Sequence, residues 1–415
     1  MKYIVVLADG MADYPCPELG GKTPLAYAQT PQMDGLAARG TVGLVRTVPE
    51  GLPPGSDVAN LSVLGYDPRE CYTGRAPLEA ASMGVGLKPE DVAFRCNLVT
   101  LAGDGPYAAR VMVDYSAGEI SSAEARELIT AVQERLGNET IAFYPGVSYR
   151  HLMVWRGGPA DTVLTPPHDI TGRVVGDFIP RGKGAGTLLR LMEESARFLP
   201  SETVNRRRTE AGQRPANSIW FWGQGRKPRL APFQEKFGLA GSVVAAVDLI
   251  RGIGVLAGMR VPVVPGATGN IHTNYRGKAQ AALEELKTGQ DFVFVHIEAA
   301  DEAGHQGDLQ AKVRAIEEID AKVVGEVLAG LKEGFPAWRV LVLPDHPTPL
   351  VLRTHTAEPV PFVIADAVCD DPGIPLRVFS EEAARSTGLR FDTGWQLLPH
   401  FFWGRPWGKG WRCGG

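Results

Sequence analysis

The chain has 415 residues, 44% of them hydrophobic and 22% charged, and a formal net charge of −4. That length gives room for two domains, or for one large domain carrying an insertion. The slightly acidic balance argues against a nucleic-acid partner, because a protein that tracks a phosphate backbone carries a basic excess. Any anion site must therefore draw its positive charge from clustered Arg or Lys, or from metal. No apolar run approaches the roughly 20 residues that a membrane helix needs, so no membrane partner is expected. Met1-Lys2 leads at once into Tyr3–Ala8 and then Asp9, a pattern too short and too soon acidic for a secretory signal. The cysteines (Cys16, Cys71, Cys96, Cys369, Cys413) are odd in number and never spaced as CxxC, which predicts reduced thiols and a cytoplasmic setting.

Tyr3–Ala8 is a continuous apolar run ending at Asp9-Gly10, and it predicts a strand buried on both faces. Pro53-Pro54-Gly55 forms a rigid, tight approach to Ser56, which opens a helical pattern through Val58, Leu61 and Leu64. From about Leu101 to Pro215 the pattern changes. Helices are expected near Ala123–Leu136 and Leu188–Phe198, with a strand over Arg150–Trp155. Asn205–Pro215, including Arg206-Arg207-Arg208, reads as a solvated surface connection. The expected organisation is a core over 1–100 and 216–403, interrupted by an α+β domain over 101–215. Beyond it, Ala279–Lys287 and Ala311–Leu331 carry apolar stripes at helical spacing. Asp291–Ile297, Trp338–Leu343 and Pro361–Ile364 read as further strands, each running into an acidic residue. Strands alternating with helices predict an α/β fold built on a mostly parallel sheet. The last residues, 404–415, are rich in Gly, Trp, Lys and Arg and are expected to be a loose tail.

In an open parallel sheet, ligands gather outside the carboxyl ends of the strands. Asp9, Asp301 and Asp345-His346 each follow a predicted strand, and His305 and His355 lie close behind. Three carboxylates with three imidazoles suit Mn or Zn, whereas an all-oxygen set leans to Mg or Ca. Six ligands exceed what one ion with an open position needs, but two ions about 4 Å apart can share them around a phosphoryl group. A small phosphorylated substrate is the expected partner. Ser56 is the candidate nucleophile, placed at a helix start where free N–H groups attract phosphate. An ordinary helix-capping serine fits the same local sequence equally well. Candidate substrate contacts are Arg75, Arg150, His151, Arg226, Lys227 and Lys278, the last following the Thr268-Gly269-Asn270 loop. No Walker A loop is present.

Several segments carry a resemblance. They are Ala8-Asp9-Gly10-Met11, Pro54-Gly55-Ser56-Asp57, Leu64–Pro68, Tyr72-Thr73-Gly74-Arg75, Val92–Asn97, Asp301-x-x-x-His305, Asp345-His346 and Thr354-His355-Thr356. Together they resemble the archaeal-type cofactor-independent phosphoglycerate mutases of the alkaline phosphatase superfamily. The resemblance covers the first hundred residues and about 238–364. It implies an alkaline-phosphatase-like core with the inserted domain acting as a lid. It also implies one Mn²⁺ or Zn²⁺ on Asp301, His305 and His355, and a second on Asp9, Asp345, His346 and Ser56 Oγ. Ser56 would take the phosphoryl group from 3-phosphoglycerate and return it to give 2-phosphoglycerate. One departure is Asn60, where the archaeal mutases usually carry histidine; resemblance to a bacterial branch with Ser-Asp-Val-Ala-Asn-Leu-Ser implies ATP-dependent homoserine kinase activity as the alternative.

Overall fold

Residues 1–367 and 378–404 are described by a computed structural model; Cys369, Cys413 and nearly all of the expected tail lie outside the described residues. The strands, in chain order, are β1 (Lys2–Ala8), β2 (Thr41–Val45), β3 (Val92–Ala102), β4 (Val111–Asp114), β5 (Ile141–Val147), β6 (Arg150–Trp155), β7 (Ser218–Arg226), β8 (Gly241–Val244), β9 (Phe292–Ile297), β10 (Trp338–Leu343), β11 (Val360–Asp366) and β12 (Arg390–Phe391). Two units result. One joins Met1–Tyr72 to the residues from Arg229 onward, and the other is Thr73–Pro228.

The first unit holds a seven-stranded sheet in the order β12-β2-β11-β10-β1-β9-β8. β1 lies between β10 and β9 and is parallel to both, with Val5 opposite Leu341 and Phe294. Ile4 through Ala8 are fully buried, as a strand covered on both faces requires. One face presents Ile4, Val6, Val295 and Val342 to the helical layer. The other presents Tyr3 and Phe292 to an aromatic cluster in which Phe292 stacks on Phe233 at 5.0 Å. β11 departs from expectation, because it runs antiparallel to both β10 and β2. An apolar run reports that helices cover both faces of a strand, not the direction of its neighbours.

The helical stripe expected over Ala311–Leu331 is one buried face in three pieces: Leu309–Ile319, a π turn over Asp320–Val324, and Gly325–Gly334. Asp320 explains the irregularity. Its carboxylate accepts the N–H groups of Gln32 (3.1 Å) and Met33 (2.8 Å), the orphan donors at the start of the Pro31–Arg39 helix. A second buried polar group ties loops together. Lys312 Nζ donates to Asp13 Oδ2 at 2.6 Å and to the carbonyls of Thr348 (2.8 Å) and Ala12 (3.3 Å), with both side chains out of contact with solvent.

The second unit is an antiparallel five-stranded sheet, β4-β3-β6-β5 with β7 paired to the other side of β3. The Ser122–Leu136 and Ala185–Phe198 helices bury Leu128, Val132, Leu188 and Met192 in its core. The unit is wider than the expected 101–215 because β3, its longest strand, and β7 both belong to it. Nor is the arginine run a solvated connection. It lies on the Thr203–Glu210 helix, where Arg208 is buried and donates to Glu124 (2.9 Å), Ala117 O (2.7 Å) and Arg214 O (3.0 Å). Helical spacing turns Arg208 inward while Arg206 and Arg207 stay exposed.

Breaking a buried ion pair by removing one partner leaves an uncompensated charge. Lys312→Met should therefore lower the unfolding free energy by about 3–5 kcal/mol, read as a reduced urea midpoint at unchanged m-value. An unchanged midpoint would show that the Asp13–Lys312 pair does not hold these loops.

Candidate active site

Because β10, β1 and β9 are adjacent and parallel, their carboxyl ends meet at one edge of the sheet. Asp9 follows β1 directly, Asp345-His346 follows β10, and His296 lies near the end of β9. Asp301 and His305 come from the helix after β9, Ala299–Gln306, where their spacing puts both on one face. The turn at Gly10 permits the assembly. Its φ is +62°, and a Cβ there would lie 2.6 Å from Asp301 and from Thr348 Oγ1.

All seven residues expected to form the metal and nucleophile site come together. Ser56 Oγ lies 3.3 Å from Asp9 Oδ2 and 3.2 Å from His346 Nε2. Ser56 is the first residue of the Ser56–Val63 helix, and that helix has no side-chain cap, which disposes of the capping alternative. His346 Nε2 is 3.4 Å from Asp345 Oδ2 and 3.6 Å from Asp9 Oδ1. Beside them, Asp301 lies 3.3 Å from both His305 Nε2 and His355 Nε2, and these two nitrogens are 2.8 Å apart. Ligand atoms of Asp9, Asp345 and His346 fall within 4.8 Å of one another, as do those of Asp301, His346 and His355.

Sequence reasoning missed the residues that hold this set in place. Asp345 Oδ1 accepts the N–H groups of Gly10 (3.1 Å) and His346 (2.9 Å), and its carbonyl accepts the Thr47 hydroxyl. The Asn60 amide donates to Asp345 Oδ2 (3.0 Å) and to Ser56 O (2.8 Å), joining carboxylate to nucleophile. His296, also unforeseen, puts Nε2 3.1 Å from Asp9 Oδ2. Such partners leave no spacing signal, because each comes from a different element.

The electrostatics are those of a cation site. Burial, and then the carboxylates of Asp345, Asp301 and Glu298, push the Asp9 carboxyl well above its ordinary range. For Asp301 burial acts the same way, but hydrogen bonds from His305 and His355 outweigh it and hold the group well below that range. Burial alone would lower His305, yet Asp301 raises it to about 9. Burial pushes His296 down to about 3. Asp9 Oδ1 and both His296 ring nitrogens are buried without a hydrogen-bond partner. Carboxylate oxygens and imidazole nitrogens crowded together, some lacking any donor or acceptor, fit divalent cations.

The expected substrate contacts divide. Lys278 is no anion cradle. It is fully buried on the Tyr275–Lys287 helix and donates to His296 O at 3.1 Å; burial lowers it to about 8 against the pull of Glu298 and Asp9. In the second unit Arg150 is exposed while His151 is buried and accepts the Gly146 N–H at 3.0 Å. Successive residues of a strand point to opposite faces, so one site cannot take both. Arg226 is spent on the carbonyls of Glu90 and Gly158, and Lys227 is exposed beyond the end of β7. Arg75 fares better. Its guanidinium lies 6.0 Å from the Trp222 ring, and that of Arg95, held by Glu79 at 3.0 Å, lies 4.2 Å from the same ring. Burial lowers Arg95 against the pull of Glu79, and the charges of Arg75 and Arg150 add to that lowering. Arg95 was overlooked because a strand interior seldom carries a charge.

Comparison with known proteins bears on this arrangement. Residues 37–205 match the family model described as 2,3-bisphosphoglycerate-independent phosphoglycerate mutase. A Geobacter sulfurreducens protein named as a probable 2,3-bisphosphoglycerate-independent phosphoglycerate mutase is 57% identical over 96% of this chain and 98% of its own. A Methanosarcina barkeri protein of the same name, without the qualifier, is 52% identical over 94% and 96%. Among solved structures, a Pyrococcus horikoshii protein is 30% identical with a TM-score of 0.79, covering 97% of this chain and 96% of that one. A cofactor-independent phosphoglycerate mutase from Thermoplasma acidophilum is 28% identical with a TM-score of 0.62, covering 97% and 99%. With its serine among carboxylates and imidazoles at the sheet edge, and such identity along nearly its whole length, the chain belongs to the 2,3-bisphosphoglycerate-independent phosphoglycerate mutase family.

Proposed function

We propose that the chain interconverts 3-phosphoglycerate and 2-phosphoglycerate without 2,3-bisphosphoglycerate, passing the phosphoryl group through Ser56. The observation that carries this reading is the place of the Ser56 hydroxyl, within 3.3 Å of both Asp9 and His346. Asp301, His305 and His355 are assigned to one divalent cation. Asp9, Asp345, His346 and Ser56 Oγ are assigned to a second, with Mn²⁺ or Zn²⁺ favoured by the imidazoles and Mg²⁺ admissible. Such cations, when bound, lower the pKa of a serine hydroxyl and offset charge on the phosphoryl oxygens.

Ser56 Oγ attacks the phosphorus of 3-phosphoglycerate; the Oγ–P bond forms, the P–O3 bond breaks, and the serine proton ends on the released C3 hydroxyl. The C2 hydroxyl then attacks the phosphoserine, the P–Oγ bond breaks, and the proton returns to Ser56. Neither water nor nucleotide is consumed. Asn60 keeps Ser56 and Asp345 in fixed relation through both halves. Between them the glycerate must turn over without escaping, a task we assign to the Thr73–Pro228 unit as a lid, with Arg75 and Arg150 as forks for the carboxylate. The ATP-dependent homoserine kinase alternative has no observation in its favour, and the relatives named above are mutases by name. Among the described residues no helix is long and apolar enough to cross a membrane, and a cytoplasmic setting completes the proposal.

Purified enzyme given 3-phosphoglycerate alone should form 2-phosphoglycerate, and homoserine with ATP should give no product. The reverse result would replace the mutase by the kinase. Chelation should abolish turnover and Mn²⁺ should restore it, with two ions bound per chain by elemental analysis; full activity in a metal-free protein would rule out the cation assignment. Ser56→Ala should remove phosphoryl transfer with little change in the melting temperature, and labelled substrate should mark Ser56 in wild type. Arg150→Ala should slow turnover by about 10²-fold, as expected for losing a charge-assisted clamp, and raise release of inorganic phosphate. Unchanged turnover without added hydrolysis would remove Arg150 from the substrate site.

A further inference from the structure

Thr348 is fully buried and held at every polar atom. Its N–H donates to Ala12 O at 3.2 Å, and its carbonyl accepts Lys312 Nζ at 2.8 Å. Its side chain sits in a cradle that two glycines leave open. A Cβ at Gly10 would lie 2.6 Å from Thr348 Oγ1, and one at Gly304 would lie 2.9 Å from Thr348 Cγ2. The hydroxyl so fixed is 2.5 Å from Asp301 Oδ1 and 3.3 Å from His346 Nδ1.

A hydroxyl has one proton to give and lone pairs to receive. A carboxylate oxygen at 2.5 Å can only accept, so the Thr348 proton goes to Asp301. The contact with His346 Nδ1 is then favourable only if that nitrogen carries the hydrogen. This fixes the imidazole as the Nδ1–H tautomer and leaves the Nε2 lone pair facing Ser56, Asp9 and Asp345. We infer that Thr348 is a positioning residue that sets the tautomer of His346 and, through the same hydroxyl, links it to Asp301. The inference rests on the two-cation reading, in which Asp301 and His346 belong to different ions. One side chain thereby orients a ligand of each, a role that outer partners of metal-bound histidines commonly fill.

The test uses full-length protein stripped of metal. Mn²⁺ is titrated into wild type, Thr348→Val and Thr348→Ser, and ¹⁵N-histidine spectra are recorded on wild type, both metal-free and with Zn²⁺. Thr348→Val keeps the shape of the side chain but removes the proton and lone pairs, and it should weaken Mn²⁺ binding by about 10–100-fold. Thr348→Ser should restore it, and His346 in wild type should show the Nδ1–H tautomer. Equal Mn²⁺ affinity in wild type and Thr348→Val would overturn the inference while leaving the two-cation reading in place. An Nε2–H tautomer for His346 in metal-free wild type would overturn it even if Thr348→Val failed to fold. Wild type that binds no Mn²⁺ at all would sink both.

Discussion

Buried negative charge sets what the edge of the sheet has to accommodate. Asp9, Asp301 and Asp345 come together where three parallel strands end, in a place largely closed to water. Carboxylates drawn out of water cost several kcal/mol each unless other groups compensate them. Part of that compensation comes from hydrogen bonds and charges within the protein itself. Asp345 takes two backbone N–H groups and an amide, Asp301 takes a hydroxyl and two imidazoles, and buried Lys278 feels the pull of Glu298 and Asp9. What remains is Asp9, still disfavoured as an anion, with an oxygen that no donor reaches. A carboxyl left so at the end of a buried strand suits the divalent cations proposed above.

How much of this could be read from sequence follows from which signals are local. The strand ends were legible because an apolar run that stops at Asp9 or Asp345 encodes both the burial and the edge. The pairing of Asp301 with His305 was legible because helical spacing fixes it. Reading failed where tertiary packing decides. Arg150 and His151 looked alike as neighbours, yet the pleat sends them to opposite faces. Lys278 was expected at an anion site and Arg208 in a solvated connection, and each is buried against carbonyls that only the folded chain presents. The limits of the Thr73–Pro228 unit were misjudged because β3 and β7 are apolar enough to belong to either sheet.

Asn60 shows how a departure in sequence can be conservative in chemistry. The position faces a carboxylate oxygen on one side and the Ser56 carbonyl on the other, and it asks for a hydrogen-bond donor. An amide supplies two hydrogens in fixed directions, enough to meet both acceptors. The departure that raised the kinase alternative thus lies at a residue that tethers the nucleophile.

The sheet register has a consequence for the order in which the protein is made. β1 precedes its partners by most of the sequence: Tyr3 pairs with Phe292 and Arg339. Until those partners emerge, an apolar strand with two unsatisfied edges must wait, in a state prone to mispairing. The Thr73–Pro228 unit carries its own sheet and helices within a much shorter span, so it can fold during that interval. Closing the parallel sheet must await β9 and β10, and the same event brings Asp9, Asp301 and Asp345 into one site.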